Sequence, residues 1–220
     1  MLSCRNLSKS YETERGVIHA VAHIDLDIAA GDYAVIVGRS GSGKSSLMAM
    51  IGGLSRPTAG AVLIGGQDIW ALDEAALAAF RNMQIGFVFQ FASLLGTLRL
   101  IDNVALPAVI NGEAMSSAYA RAGRLLSDVG LGGYADAYPG EISSGEQRRA
   151  AIARALINGP ALILADEPTS DLDEETEREI MALFRDLNCD LGATLILITH
   201  NLALAEGADR VFHVAHGKIV

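Results

Sequence analysis

The chain has 220 residues, half of them hydrophobic, and a formal net charge of −9. That length supports one large core; the charge excludes a general nucleic-acid-binding surface, which needs a basic footprint. No run approaches the roughly 18–20 apolar residues of a membrane-spanning helix, Met1-Leu2-Ser3-Cys4-Arg5 lacks a secretory pattern, and the distant Cys4 and Cys189 make neither a disulfide framework nor a metal cluster.

Residues 17–28 alternate apolar and polar and predict a strand, and Ala30-Gly31-Asp32 marks a turn before the apolar run Tyr33–Val37. Residues 61–64, closed by Gly65-Gly66, predict another strand and turn. Residues 73–81 predict a short helix with Ala76, Leu77 and Phe80 on its apolar side, and 85–89 a buried strand. From about residue 94 to 156 the pattern is helical. Two apolar runs, 161–165 and 194–198, flank the charged helical stretch 174–188, and 210–220 predicts a hairpin turning at His216-Gly217. Continuous apolar strands alternating with helices imply a parallel sheet covered on both faces. The expectation is one α/β domain, β-rich over 1–90, helical over about 91–157, with the rest of the core over 158–220.

The strand Tyr33–Val37 runs into Gly38-Arg39-Ser40-Gly41-Ser42-Gly43-Lys44-Ser45 and then into the helical Ser46–Ile51, matching G-x-x-x-x-G-K-S/T in its strand–loop–helix context. Glycines there let backbone N–H groups converge on phosphate oxygens, and the helix N-terminus adds partial positive charge. Lys44 is expected to reach the β- and γ-phosphates and the Ser45 hydroxyl to hold Mg²⁺. This pattern specifies a nucleoside triphosphate and no more.

The apolar run 161–165 ends at Asp166-Glu167. Alone, such a pair fits a solvated turn equally well. Beside a phosphate loop, Asp166 is placed to orient Mg²⁺. Glu167, turned elsewhere by strand alternation, is placed to polarise an attacking water as general base. Further upstream, Ile142-Ser143-Ser144-Gly145-Glu146-Gln147 reads as a helix start, with Ser143 as N-cap and Glu146 completing a capping box. The hydroxyl and a glycine N–H there make a second anion site, though a capping box alone is common.

Taken together and in this order, these residues resemble the ATPase domains of ABC transporters over nearly the whole chain. The resemblance implies a P-loop NTPase fold with a RecA-like parallel sheet core, an N-terminal antiparallel β subdomain and a helical subdomain insert. It implies that Tyr11 stacks on adenine and that Gly38, Ser40, Gly41, Ser42, Gly43, Lys44, Ser45 and Ser46 hold the phosphates. Gln90 would contact Mg²⁺ and sense the transmembrane partner. Ser143, Gly145 and Glu146 would belong to the signature that meets the γ-phosphate of an opposite subunit. Asp166 would orient the metal, Glu167, His200 and Lys44 would be catalytic, with His200 as the switch histidine that contacts the γ-phosphate, and Ser170-Asp171-Leu172-Asp173 would cross the dimer interface. The implied cofactors are ATP and Mg²⁺. The implied partners are a second ATPase subunit, identical or different, and an integral-membrane permease, with no nucleic acid. The implied location is the cytoplasmic face of the cell membrane.

The stretch Phe89-Gln90-Phe91-Ala92-Ser93-Leu94-Leu95, followed by Asn103-Val104-Ala105-Leu106-Pro107, resembles the MacB/LolD-type subgroup of export and lipoprotein-release transporters. The chain departs from the family at Ser144, where glycine is usual, at Ser46, where threonine is commoner, and at Asp171, where a small or amide residue is usual. Ser144 leaves open a weakly hydrolysing partner in a heterodimer. An ABC ATPase of DNA repair or translation lacks support in the charge, and a small-molecule kinase would not account for Ser143 or His200.

Overall fold

The computed structural model describes residues 1–14 and 16–220, and their side chains except at 189–191, so the Cys189 thiol lies outside the described residues. Strands β1 (Leu2–Thr13) and β2 (Gly16–Ile28) pair antiparallel. With β4 (Ala59–Ile64) and β5 (Gln67–Asp68) they form a sheet in the order β2-β1-β4-β5. Alternation in β2 turns Ile24, Leu26 and Ile28 inward and leaves Asp25 and Asp27 outside.

The second sheet contains β3 (Tyr33–Val37), β6 (Ile85–Val88), β7 (Leu162–Asp166), β8 (Thr194–Thr199), β9 (Arg210–Ala215) and β10 (Lys218–Ile219), ordered β10-β9-β3-β8-β7-β6. All of its pairings are parallel except β10 on β9. Helices α1 (Lys44–Ile51), α2 (Glu74–Gln84), α3 (Leu100–Ile110), α4 (Met115–Asp128), α5 (Ser144–Leu156) and α6 (Glu174–Leu191) and a few short 3-10 turns connect the strands.

The unbroken apolar runs have a packing cause. Ala34 and Ile36 of β3 enter a core shared with the antiparallel sheet and with Leu47 and Ile51 of α1. Val35 and Val37 enter a second core against Ile152 of α5 and Ile180 and Phe184 of α6. Both faces are therefore covered, so neither tolerates polar alternation. A third cluster, with Leu100, Val104, Ala118, Ala122, Leu126 and Ala150, joins α3, α4 and α5.

Helix α3 begins at Leu100 rather than near residue 94. Asn103, fully buried, accepts from the Leu95 amide at 2.7 Å and donates to the carbonyls of Leu95 and Leu98 at 3.0 and 3.1 Å. An amide side chain thus binds the preceding segment in a non-helical form that apolar periodicity does not reveal. The C-terminal hairpin turns as expected, with His216 and Gly217 at φ 51° and 75° between β9 and β10. Positive φ at both central residues is the demand of a type I′ two-residue hairpin turn.

Because β3, β7 and β8 run parallel and adjacent, the loops after Val37, Asp166 and Thr199 emerge at one sheet edge. Ligands of open α/β sheets bind outside such carboxyl ends.

Candidate functional site

The loop between β3 and α1 is held by its neighbours. Gly43 adopts φ 106°, and a Cβ on it would stand 2.1 Å from the Ala20 carbonyl oxygen of β2. A Cβ on Gly38 would stand 2.3 Å from the Val214 carbonyl oxygen of β9. The Gly217 amide donates to the Ser42 carbonyl at 2.9 Å, and the Gly217 carbonyl accepts from the Ala22 amide at 2.8 Å. The hairpin turn therefore ties the loop to β2. Lys44 is buried, and its Nζ donates to the carbonyls of Gly38 and Arg39 at 2.7 and 3.2 Å, folding the side chain back over its own loop. Residues 39–46 line a pocket of about 800 Å³, within the usual size range of small-molecule sites.

Gln90, Glu167 and His200 line the same pocket. Glu167 stands there for a different reason than strand alternation. The strand ends at Asp166, and Glu167 turns into left-handed backbone at φ 46° while its amide donates to the Ile198 carbonyl at 2.8 Å. A non-glycine residue held in that region is strained and is characteristic of functional turns. Its Oε2 lies 2.9 Å from His200 Nδ1 and 3.4 Å from Thr199 Oγ1.

Asp166 sits beneath these groups. Its Oδ1 is buried and has no hydrogen-bond partner. Burial pushes its carboxyl above the usual carboxylate range; the Ser45 hydroxyl and the Lys44 charge pull the other way, and Glu167 adds to the rise. An orphaned carboxylate oxygen beside a hydroxyl is a suitable set for a hard cation completed by phosphate oxygens and water. Among the described residues no group of three or more His, Cys, Asp or Glu could hold a metal by itself. An Asp166→Asn chain is expected to melt about 2 °C higher, since a neutral amide removes a buried anion. The sign follows from the raised carboxyl: the gain is fully present above its folded pKa. It fades as pH falls through the folded pKa and is gone below the ordinary carboxylate value, where the group is protonated in the folded and unfolded chain alike. Thermal melts across the acid range, beside an ATPase assay expected to show lost turnover, measure the trade-off.

The remaining candidate residues lie apart from the pocket lining. Tyr11 is partly exposed, with Lys9 Nζ 5.0 Å from its ring centroid and its hydroxyl 3.5 Å from Ser46 Oγ. Ser143 caps α5: its Oγ accepts from the Glu146 amide at 3.3 Å, and Glu146 Oε2 receives the Ser143 amide and hydroxyl, both at 2.8 Å. These bonds hold the Glu146 carboxyl below its usual range. Ser143, Gly145 and Glu146 do not line the pocket of their own chain. A Cβ on Gly145 would stand 2.7 Å from Thr176 Cγ2, so packing on α6 already favours glycine there.

Sequence reasoning missed Ile18, His19, Ala20 and His216, which also line the pocket. His19 Nδ1 lies 2.8 Å from Ser10 Oγ of β1. Strand alternation and the hairpin turn were the available signals, and neither indicates where distant strands converge.

The model of the ABC transporter family matches residues 21–170. The lipoprotein-releasing system ATP-binding protein LolD of Syntrophotalea carbinolica is 45% identical over 219 residues, spanning 100% of this chain and 96% of that protein. The macrolide export ATP-binding/permease protein MacB of Rhodopirellula baltica is 44% identical over 221 residues, spanning 100% of this chain but 32% of that longer protein. A solved ATP-binding cassette dimer, in a post-hydrolysis state bound to ADP and Pi, matches with TM-score 0.92 and 36% identity over 100% of this chain and 96% of that one.

Proposed function

The chain belongs to the ABC transporter family as an ATP-binding subunit of the LolD/MacB type, an ATPase, and from that premise we propose that it powers lipoprotein release as one half of a nucleotide-sandwiching dimer docked on a permease. The observation that carries this reading is the convergence of the phosphate loop, Gln90, Glu167 and His200 on one pocket.

The pocket walls come from one chain, while the exposed helix start at Ser143 and Ser144 stands outside them. A second copy related by a two-fold axis can offer that start to the γ-phosphate, so that ATP acts as the glue. Tyr11 would cover the adenine. Residues 38 and 40–46 would wrap the phosphates, with Lys44 exchanging its loop carbonyls for phosphate oxygens. Ser45, Gln90 and Asp166 would hold Mg²⁺, whose bound charge offsets that of the phosphates. Glu167 would accept the proton of the attacking water, held in line by His200. Closure on ATP and opening after hydrolysis give a two-state switch that a membrane subunit converts into work.

The permease contact is supported by a cleft of about 510 Å³ lined by Leu54, Phe87, Pro107, Ile110 and Arg154, where α3 and α5 meet β6. Leu54 and Ile110 are exposed there. Among the described residues no helix is long and apolar enough to cross a membrane, so attachment at the inner face would come through the permease.

Lipoprotein release is favoured over drug export because the LolD relative, matched over nearly its whole length, carries that activity in its name. Reconstitution in proteoliposomes with the permease decides the point. ATP-driven release of an acylated protein from the vesicles is expected. ATP turnover stimulated by a macrolide and not by the acylated protein would replace this reading with drug export.

A further inference from the structure

Helix α5 carries an arginine that the proposed chemistry does not use. Arg148 is 2% exposed, the largest fully buried side chain among the described residues. Its Nη1 donates to the Phe89 carbonyl, its Nη2 donates to Asp171 Oδ1 at 2.8 Å, and its Nε has no partner. Farther along the helix, Arg154 donates to the carbonyls of Ser93 and Ala92 at 2.7 and 3.0 Å. The two guanidinium groups thus clasp the backbone on either side of Gln90 and Phe91.

The other end of the contact leads to Glu167. Asp171 lies in the turn between β7 and α6, where the Ser170 amide donates to the Glu167 carbonyl at 3.3 Å and the Leu172 amide to the Thr169 carbonyl at 3.1 Å. Such a tight turn passes a displacement of Asp171 on to Glu167. A guanidinium taken out of water is costly unless its charge and donors are matched, and among the described residues Asp171 is the carboxylate paired with Arg148.

We propose that Arg148 and Asp171 are a positioning pair for ATP hydrolysis, locking the Gln90 turn, the start of α5 and the Glu167 turn into one moving unit. The proposal rests on the ATPase reading above. Neither side chain lines the nucleotide pocket, so the pair acts through Gln90 and Glu167. Its loss therefore lowers turnover rather than ATP affinity.

The test compares wild type with Asp171→Ala and Asp171→Asn in two measurements. Steady-state ATPase should give a kcat about tenfold lower for Asp171→Ala with KM within about twofold, since a misplacement near 1 Å acts on the chemical step. Hydrogen exchange of the nucleotide-free chain should accelerate in peptides covering both 89–93 and 167–171, and less in Asp171→Asn, which keeps an oxygen acceptor. An unchanged kcat, or a raised KM with kcat intact, overturns the proposal. So does faster exchange confined to 167–171, because the two segments are then not joined. A wild-type chain without ATPase activity counts against the proposed function instead, and the exchange pattern still decides whether the pair links them. If Asp171→Ala does not fold, Asp171→Asn carries both readouts.

Discussion

A Glu167→Gln chain is expected to bind ATP normally and to hydrolyse it about 10²- to 10⁴-fold more slowly, the usual contribution of a positioned general base. The geometry makes this a chemical rather than a structural change. Glutamine has nearly the same shape, meets the same left-handed backbone at φ 46°, and still offers a side-chain oxygen or N–H to His200 and Thr199, which lie 2.9 and 3.4 Å from the carboxylate. It lacks the lone-pair basicity to take a proton from water. Slow turnover should trap the closed state, so light scattering is expected to register a monomer without nucleotide and a dimer with ATP and Mg²⁺. Turnover near the wild-type rate would remove Glu167 from the role of base. Slow turnover in a chain that stays monomeric would point to a different ATPase subunit or the permease as the missing half, and would put the serine at 144 under suspicion.

What the sequence disclosed and what it hid follow from the range of the interactions. The phosphate loop was legible because strand, glycines, lysine and helix start are contiguous, and the capping box at Ser143 and Glu146 because three residues suffice for it. The parallel sheet was legible because β3, β7 and β8 are apolar on both faces. Its strand order was not, since β8 sits between β3 and β7, and its pairing with β3 joins residues as far apart as Tyr33 and Leu195. The left-handed turn at Glu167 was hidden because it depends on a bond to Ile198, a residue far along the chain. Asp171 was visible only as a departure from a family pattern. Its partner, Arg148, lies 23 residues earlier on another element. The glycine at 145 was assigned to phosphate approach, while contact with Thr176 of α6 supplies an intrachain cause.

The phosphate loop offers the second large effect. A Gly43→Ala chain is expected to lose about 10- to 100-fold in ATP affinity, the loss of one charge-assisted hydrogen bond to phosphate worth about 1.5–3 kcal/mol. The added Cβ meets a backbone oxygen, that of Ala20, at 2.1 Å, and backbone oxygens do not swing aside. Ala20 is the unpaired residue of an irregularity in β2, but both its neighbours are registered against β1, His19 with Ser10 and Val21 with Lys9, which limits how far its carbonyl can retreat. Gly217 closes the other side, its Cα 3.5 Å from the same Cβ. The loop must therefore lift outward and carry the adjacent Lys44 with it. Stability should fall by about 2–4 kcal/mol, combining steric displacement with an unfavourable φ of 106°, which for a chain of this size lowers the Tm by about 5–12 °C. Gly41→Ala supplies the contrast: φ is 75°, but no atom lies within 4 Å of its Cβ. Only the left-handed backbone penalty of about 1 kcal/mol remains, giving a Tm loss of about 2–4 °C. Scanning calorimetry and titration with a fluorescent ATP analogue should rank Gly43 far above Gly41. Equal losses of affinity would mean that the loop's glycines answer to the approach of phosphate rather than to the closeness of β2.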